Sequence, residues 1–485
     1  MNRHAKKRRA LQWRIVRYII MVSTIFAIVT FSVLILLGYR LNRTTGVIQQ
    51  GGLVQFVSEP TKASVTIGSA KLLDKTPSKI TVNPGEYLVK MEKDGYQLWQ
   101  KNVAIKAGEV LWLNSAKLVP RDITTVALRT IPTVADSFAQ PKSGFISVLP
   151  DASKPVVERY DIRTGDLKSE TLDLSTLNTA VAKKDSYRFL EWNGSTKREI
   201  LNHTYGKKNE LVVVNVDNKD DSFVIAPQGK AMPVDAIPDP RDSRDLIVRY
   251  SDGSVRSVDG DIGSVSAAVL TKTTSIKSFG SSIVYVKSVG KNMVETGYLT
   301  LDNQLESKSV RRISTQQPVQ FQVQQYFDTY FLTTVVGKNM TVQSTKSLPR
   351  SSDDTAASLK LILSLELDNP PVSLRRLDAG QQISILQPSA VTNYDVESKS
   401  VTTTNLTDKD QKKLVKLKWL DEFHYYLDNG GILRQYEYDG ENQADITNVE
   451  AGHAAGYSQN GKYLYTFAKD KSGFTLQRST LILDS

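Results

Sequence analysis

The sequence predicts a mainly β protein tethered by one N-terminal transmembrane helix, and three observations predict it. An uncharged run of 22 residues, 18–39, follows a cationic leader. After it, short runs of alternating apolar and polar residues, punctuated by Gly, Asn, Asp and Pro, continue to the C-terminus. Long amphipathic helical patterns are nearly absent. Only residues 355–367 read equally as a short helix or a strand.

The net charge of +11 is concentrated at the leader. Residues 1–17 carry Arg3, Lys6, Lys7, Arg8, Arg9, Arg14 and Arg17 and no acid, whereas the remaining chain balances 55 basic against 51 acidic side chains. A phosphate-binding domain keeps its charge on the folded part, so this distribution argues for membrane topology and against a nucleic-acid partner. The chain has no cysteine, which removes disulfides, thiolate catalysis and cysteine-ligated zinc.

A helix rising about 1.5 Å per residue crosses a hydrocarbon core of about 30 Å with roughly 20 residues. The 18–39 run is longer than the apolar region of a cleaved signal and ends Leu37-Gly38-Tyr39-Arg40, without a small-x-small site. It therefore reads as an uncleaved anchor. With the basic leader before it, the N-terminus is expected in the cytoplasm and residues 40–485 outside.

Residues 40–52 read as a polar linker. Strand-like runs then alternate with turn signals: 53–57 and 64–67 before Gly68, 79–82 before Asn83-Pro84-Gly85, 87–91 before Asp94-Gly95, then 99–105 and 110–118. This is the pattern of a small antiparallel β-sandwich. Pro84 and the glycines suit tight turns, and Tyr96 and Trp99 offer large faces to a small core. In order and spacing, Pro60 and Ala63, Gly68, Thr76-Pro77, Pro84-Gly85-x-Tyr87, Gly95-Tyr96, Trp99 and the closing Leu118-x-Pro120 resemble a PEGA domain over residues 53–120. The name-giving tetrapeptide keeps only its ends, in Pro60-Thr61-Lys62-Ala63. The resemblance implies an envelope role, in places cell-wall-proximal, and no catalytic residues; the matching residues are expected to serve the fold.

Residues 121–485 read as a series of hairpins. Runs 145–149 and 156–160 bracket one turn, 211–216 and 222–225 a second, 246–250 and 255–258 a third around Asp252-Gly253. Runs 423–427 and 432–438 bracket Asp428-Asn429-Gly430-Gly431, and 463–467 and 474–478 flank a polar loop. The pentapeptide Val289-Gly290-Lys291-Asn292-Met293 recurs 47 residues later as Val336-Gly337-Lys338-Asn339-Met340. That period matches one propeller blade. Ala455–Tyr465 in sequence (residues 455–465) resembles the opening of a blade of WD-like propellers of exported bacterial proteins, and residues 160–165 resemble its exit turn. About eight hairpin units fit the stretch, so a seven- or eight-bladed β-propeller is expected.

Catalytic signals are weak. Residues 456–462 fit a G-x-x-x-x-G-K frame, but Tyr463 stands where Ser or Thr would bind magnesium and no helix pattern follows, so the segment reads as a hairpin turn. The histidines are isolated: His4, His203, His424 and His453. Asp239, Asp242 and Asp245 recur every third residue, but with interleaved arginines they read as a solvated loop rather than a calcium site. No catalytic, cofactor-binding or metal residue is assigned and no cofactor is expected.

The expectation is thus a basic cytoplasmic tail (1–17), transmembrane helix (18–39), linker (40–52), PEGA-like sandwich (53–120) and propeller (121–485). Its function would be non-catalytic binding or scaffolding at the outer side of the cell membrane, with the lipid bilayer and a protein or cell-wall polymer as partners. The rival classes are an extracytoplasmic propeller hydrolase or lyase, which would cluster acidic or histidine side chains at the channel mouth, and a membrane-bound regulator acting through its basic tail.

Overall fold

The structure is a computed structural model, and it describes residues 3–36, 38–41, 46–139, 143–177, 179, 185–190, 197–242, 244–300, 306–351, 359–376, 380–406, 418–428 and 431–484. The chain divides into two compact units, Met1–Asp122 and Ile123–Ser485.

In the first unit, helix α1 spans Arg3–Leu36, so the basic leader and the apolar run share one helix. Its segment Ile15–Leu36 has a mean hydropathy of 2.7 and buries none of it within the protein. The helix stops short of Tyr39. Gly38, at φ 80°, donates its N–H to the Ile35 carbonyl at 2.9 Å, a left-handed C-terminal cap that glycine adopts without a Cβ clash. The expected linker contains structure: β1 (Tyr39–Leu41) and β2 (Ile48–Gln50) pair antiparallel.

Seven further strands build the sandwich: β3 (Gly52–Glu59), β4 (Ser64–Ile67), β5 (Ala70–Lys71), β6 (Ser78–Val82), β7 (Gly85–Glu92), β8 (Trp99–Ile105) and β9 (Val110–Lys117). They form two sheets, β6-β3-β9 and β5-β4-β7-β8. The sandwich is not wholly antiparallel, because β9 runs parallel to β3. The reason lies in the turn after β8. Gly108 N–H bonds the Gly51 carbonyl (3.0 Å) and Leu53 N–H bonds the Glu109 carbonyl (2.9 Å), so β9 starts beside the start of β3 and must run with it. Period-two alternation sends Val54 and Phe56 of β3, Val65 and Ile67 of β4, and Val89 and Met91 of β7 into the shared core.

The second unit is a β-propeller. Its described residues form eight antiparallel sheets. In chain order the blades cover residues 136–173, 185–225, 233–258, 273–314, 319–366, 373–405 and 418–448, and the eighth covers 456–480. Seven have four strands and the third has three, with the bridges Val255–Leu270 and Val258–Val265 beside its last strand. The eighth blade takes its outermost strand from the other end of the unit: β10 (Thr125–Ile131) pairs with Gly473–Thr480. This pairing closes the ring.

Inner strands of the blades are buried on both faces, so their sequences are continuous apolar runs. Leu211 and Val213 pack toward blade 3, whereas Val212 and Val214 pack toward blade 1. Ile283 and Tyr285 face blade 3, and Val284 and Val286 face blade 5. Residues 360–366 of the ambiguous stretch are a strand, while the start of that stretch and residues 429–430 of the expected turn lie outside the described residues.

Candidate functional site

The sandwich residues singled out by sequence come together as a hydrogen-bonded knot. The Thr76 hydroxyl lies 2.6 Å from that of Ser58 and accepts the Ala63 N–H at 2.9 Å, while Ser58 donates to the Pro60 carbonyl. Thr76 N–H returns to the Ala63 carbonyl, and both peptide bonds preceding Pro60 and Pro77 are cis. Gly68, at φ 55°, turns β4 under the Tyr87 ring. Tyr87 donates to the Asn83 carbonyl and so braces the Pro84-Gly85 turn. Past the Gly95 turn, Tyr96 and Trp99 are both 2% exposed, and Arg121 Nε ties the Tyr96 carbonyl beside Pro120. Thr76→Val should cost about 2–3 kcal/mol, because it strips a partner from the wholly buried Ala63 amide. Thr76→Ser should cost under about 1 kcal/mol. Amide exchange of β3 and β4 in the full chain reads the difference.

In the propeller a recess opens between blades 7 and 8. Strand His424–Asp428 and the connection leading to blade 8 form its walls. Lys418, Asp428, Glu450 and His453 bring a cation, two carboxylates and an imidazole to one opening over Tyr426 and Phe467. Each is held. The Tyr426 hydroxyl, 5% exposed and pushed well above its usual range by burial, donates to the Ala455 carbonyl at 2.7 Å. The Asp428 carboxylate accepts the Gly431 N–H at 2.8 Å. His453 sets its ring edge-on to Phe474, centroids 4.9 Å apart, with Nδ1 3.4 Å from the Ser137 hydroxyl. Sequence flagged His453 only as isolated; Glu450 is its near neighbour in the chain, but Lys418 and Asp428 arrive from the preceding blade by blade geometry, which no local pattern encodes.

Near the inner strands, Lys277 reaches from blade 4 to the Leu374 carbonyl of blade 6 at 2.6 Å. Burial lowers its ammonium to about 8, partly opposed by Asp235. Between pH 8 and its ordinary value near 10.5 the unfolded chain binds a proton that the folded chain has released. The contribution of this group to stability therefore rises with pH across that window. The several buried tyrosines act oppositely at the alkaline end, so the measurement is the wild-type curve minus that of Lys277→Met. That difference should rise by about 2–3 kcal/mol from pH 8 to 10.5.

The other flagged groups resolve into structural roles. In residues 239–245, Arg241 forks onto Asp239 and Arg244 onto Asp242, the latter holding its carboxylate at about 2. The loop is less solvated than expected, since Asp239 is 1% exposed, with the exposed Arg241 lying over it as its counter-ion. His424 Nδ1 lies 2.8 Å from Asp421. Residues 456–463 form a hairpin turn, with Gly461 N–H on the Ser458 carbonyl. Among the described residues no group of three or more His, Asp or Glu is placed to hold a metal ion.

A transmembrane-type helix, a small two-sheet module and a closed ring of β-sheets define a β-propeller protein with a membrane-anchor candidate. Residues 52–121 match the family described as PEGA domain, and the chain carries that domain there. No curated protein matches the chain. Among solved structures, an oligogalacturonate lyase in complex with manganese aligns at 10% identity and TM-score 0.42, covering 74% of this chain and 98% of that one. Hsv2 of Kluyveromyces lactis aligns at 10% identity and TM-score 0.40, covering 71% and 97%. The Cps50 (Swd1) β-propeller domain of Myceliophteria thermophila aligns at 9% identity and TM-score 0.37, covering 73% and 99%.

Proposed function

We propose that the chain is a membrane-anchored, non-catalytic binding or scaffold protein of the cell envelope, with its PEGA domain and propeller on the extracytoplasmic side. The observation that carries this reading is the helix segment Ile15–Leu36, uncharged after Arg17 and covered by nothing in the protein. The 17 apolar side chains of that segment, left in water, would each forfeit on the order of 1.5–3 kcal/mol, which a bilayer recovers. The cationic leader sets the orientation. The recess of Lys418, Asp428, Glu450 and His453 supports binding of a polar, charge-bearing group of a protein or cell-wall polymer, since a few convergent polar groups fix such a ligand's orientation.

The cysteine-free chain makes the topology directly testable. A cysteine at the exposed Ile262 should react with a membrane-impermeant maleimide in intact cells, whereas one at Ala5 should react only after permeabilisation. Labelling of position 5 alone, or release of the chain from membranes by alkaline carbonate, overturns the anchor. Turnover of a glycan, peptide or ester by the purified chain, abolished by Glu450→Gln or His453→Ala, overturns the non-catalytic reading.

A further inference from the structure

The PEGA domain has one sheet face that the protein leaves uncovered. On β9, Val110 and Trp112 are 43% and 56% exposed, and Val57 on β3 is 37% exposed. Register sets Leu53 opposite Val110 and Thr81, and Gln55 opposite Trp112 and Lys79. The face therefore carries an apolar row, then an aromatic–amide–ammonium row. A tryptophan half in solvent in one row with a lysine, an amide between them, suits a membrane interface, with the ring at headgroup depth and the ammonium at the phosphate.

The same end of the sheet is hydrogen-bonded to the exit of α1. Gly51 N–H bonds the Gly38 carbonyl at 2.9 Å, and the Gly51 carbonyl accepts the Gly108 N–H at 3.0 Å. The turn preceding β9 is thus two backbone hydrogen bonds from the cap of the apolar helix. It packs closely there: a Cβ on Gly108 would meet the Gln50 amide oxygen at 2.7 Å. Ile48, on the ribbon between them, is 63% exposed and continues the apolar surface. Charge follows the same line. Residues 1–121 hold 19 basic and 6 acidic side chains, 10 and 6 of them within 52–121, whereas residues 122–485 hold 43 and 45. Apart from the leader, residues 40–121 keep 12 basic against 6 acidic side chains on the side of the sandwich.

We propose that the outer face of β6-β3-β9 lies on the anionic phospholipid headgroups of the leaflet from which α1 emerges, Trp112 and Val110 seated in the interface and Lys79 toward phosphate. The inference rests on the anchor reading above. It requires the sheet to lie along the membrane, because Trp112 stands four residues, about 13 Å, along the strand from Gly108. A headgroup layer is only about 5–8 Å deep, so a sheet standing upright would carry Trp112 clear of it.

The test uses the full chain in nanodiscs of phosphatidylcholine, with and without phosphatidylglycerol, and an environment-sensitive fluorophore on a single cysteine. Asn114→Cys reports the proposed face; Leu88→Cys reports the outer face of the opposite sheet. With phosphatidylglycerol present, a label at 114 should shift to shorter wavelength and be quenched by spin-labelled lipid about threefold more than one at 88. Trp112→Gln combined with Asn114→Cys should reduce that quenching to the level seen at position 88. Equal quenching at 114 and 88 overturns the proposal while leaving the anchor intact. A label at 114 that responds to purified cell-wall polymer and not to lipid also overturns it. Failure of the chain to enter nanodiscs at all overturns the anchor and this inference with it.

Discussion

Arg159→Met should lower propeller stability by about 3–5 kcal/mol, read as a shift of the urea midpoint of the full chain. Arg159 is 3% exposed on the third strand of blade 1, with its guanidinium 4.1 Å from the centre of the Phe145 ring and Nη1 2.6 Å from Glu170. Its Nε is 3.4 Å from Glu199 of blade 2, a carboxylate that is 5% exposed. Burial pushes Glu199 above its ordinary range, while Arg159 and the Ser147 hydroxyl, 2.5 Å away, pull it back. Removing the arginine removes the largest counterweight and leaves a carboxylate sealed between two blades. The folded form then favours protonated Glu199 more strongly than the unfolded form does, so the loss grows as pH rises above the ordinary value of 4.5. Glu199→Gln in the Arg159→Met background should recover about half, since the amide needs no counter-ion and can keep Ser147. A loss under about 1 kcal/mol for Arg159→Met, independent of pH, would show that the pair is not what joins blades 1 and 2.

That pair also marks where sequence stops being informative. Hairpins were legible because their signals are local. The Asp252-Gly253 turn appears where expected, and Gly253 at φ 79° has its Cβ position within 2.8 Å of Lys272 and Thr273 backbone, so no other residue fits without a shift. The repeated pentapeptide does fall in equivalent hairpins of blades 4 and 5, but in different registers. In the first copy Gly290 pairs with Met293 and Asn292 takes the positive φ; in the second Val336 pairs with Asn339 and Gly337 takes it. A bulge at Ser288–Gly290 accounts for the slip. Local signal thus set the turn's place and tertiary pairing set its register. The parallel β3–β9 pair, the Arg159–Glu199 contact and the recess at Lys418 and His453 all join residues distant in the chain, and only closure of the fold brings them together.

A disulfide at the ring closure, Thr125→Cys with Ser479→Cys, should stabilise the oxidised propeller by about 4–5 kcal/mol. The two hydroxyls are 2.8 Å apart on paired strands although 354 residues separate them in the chain. Cross-linking there removes nearly all the loop-closure entropy that the unfolded unit would otherwise regain. The effect should be large because β10 is both the seal of blade 8 and part of the interface with blade 1, where Ile131, Phe474 and Leu476 pack with Ile146 and Tyr160. Losing that strand would expose the edge of Gly473–Thr480, the kind of open edge that recruits other chains. No native cysteine competes for pairing, so the same sample reports twice, before and after reductant. Reduced, it should fall about 1 kcal/mol below wild type, the worth of the lost hydroxyl contact. Oxidised, its denaturation midpoint should lie well above wild type, and aggregation on heating should be delayed. If oxidised and reduced midpoints coincide, β10 leaves the ring before the blades separate, and closure is a late addition to a unit already stable without it.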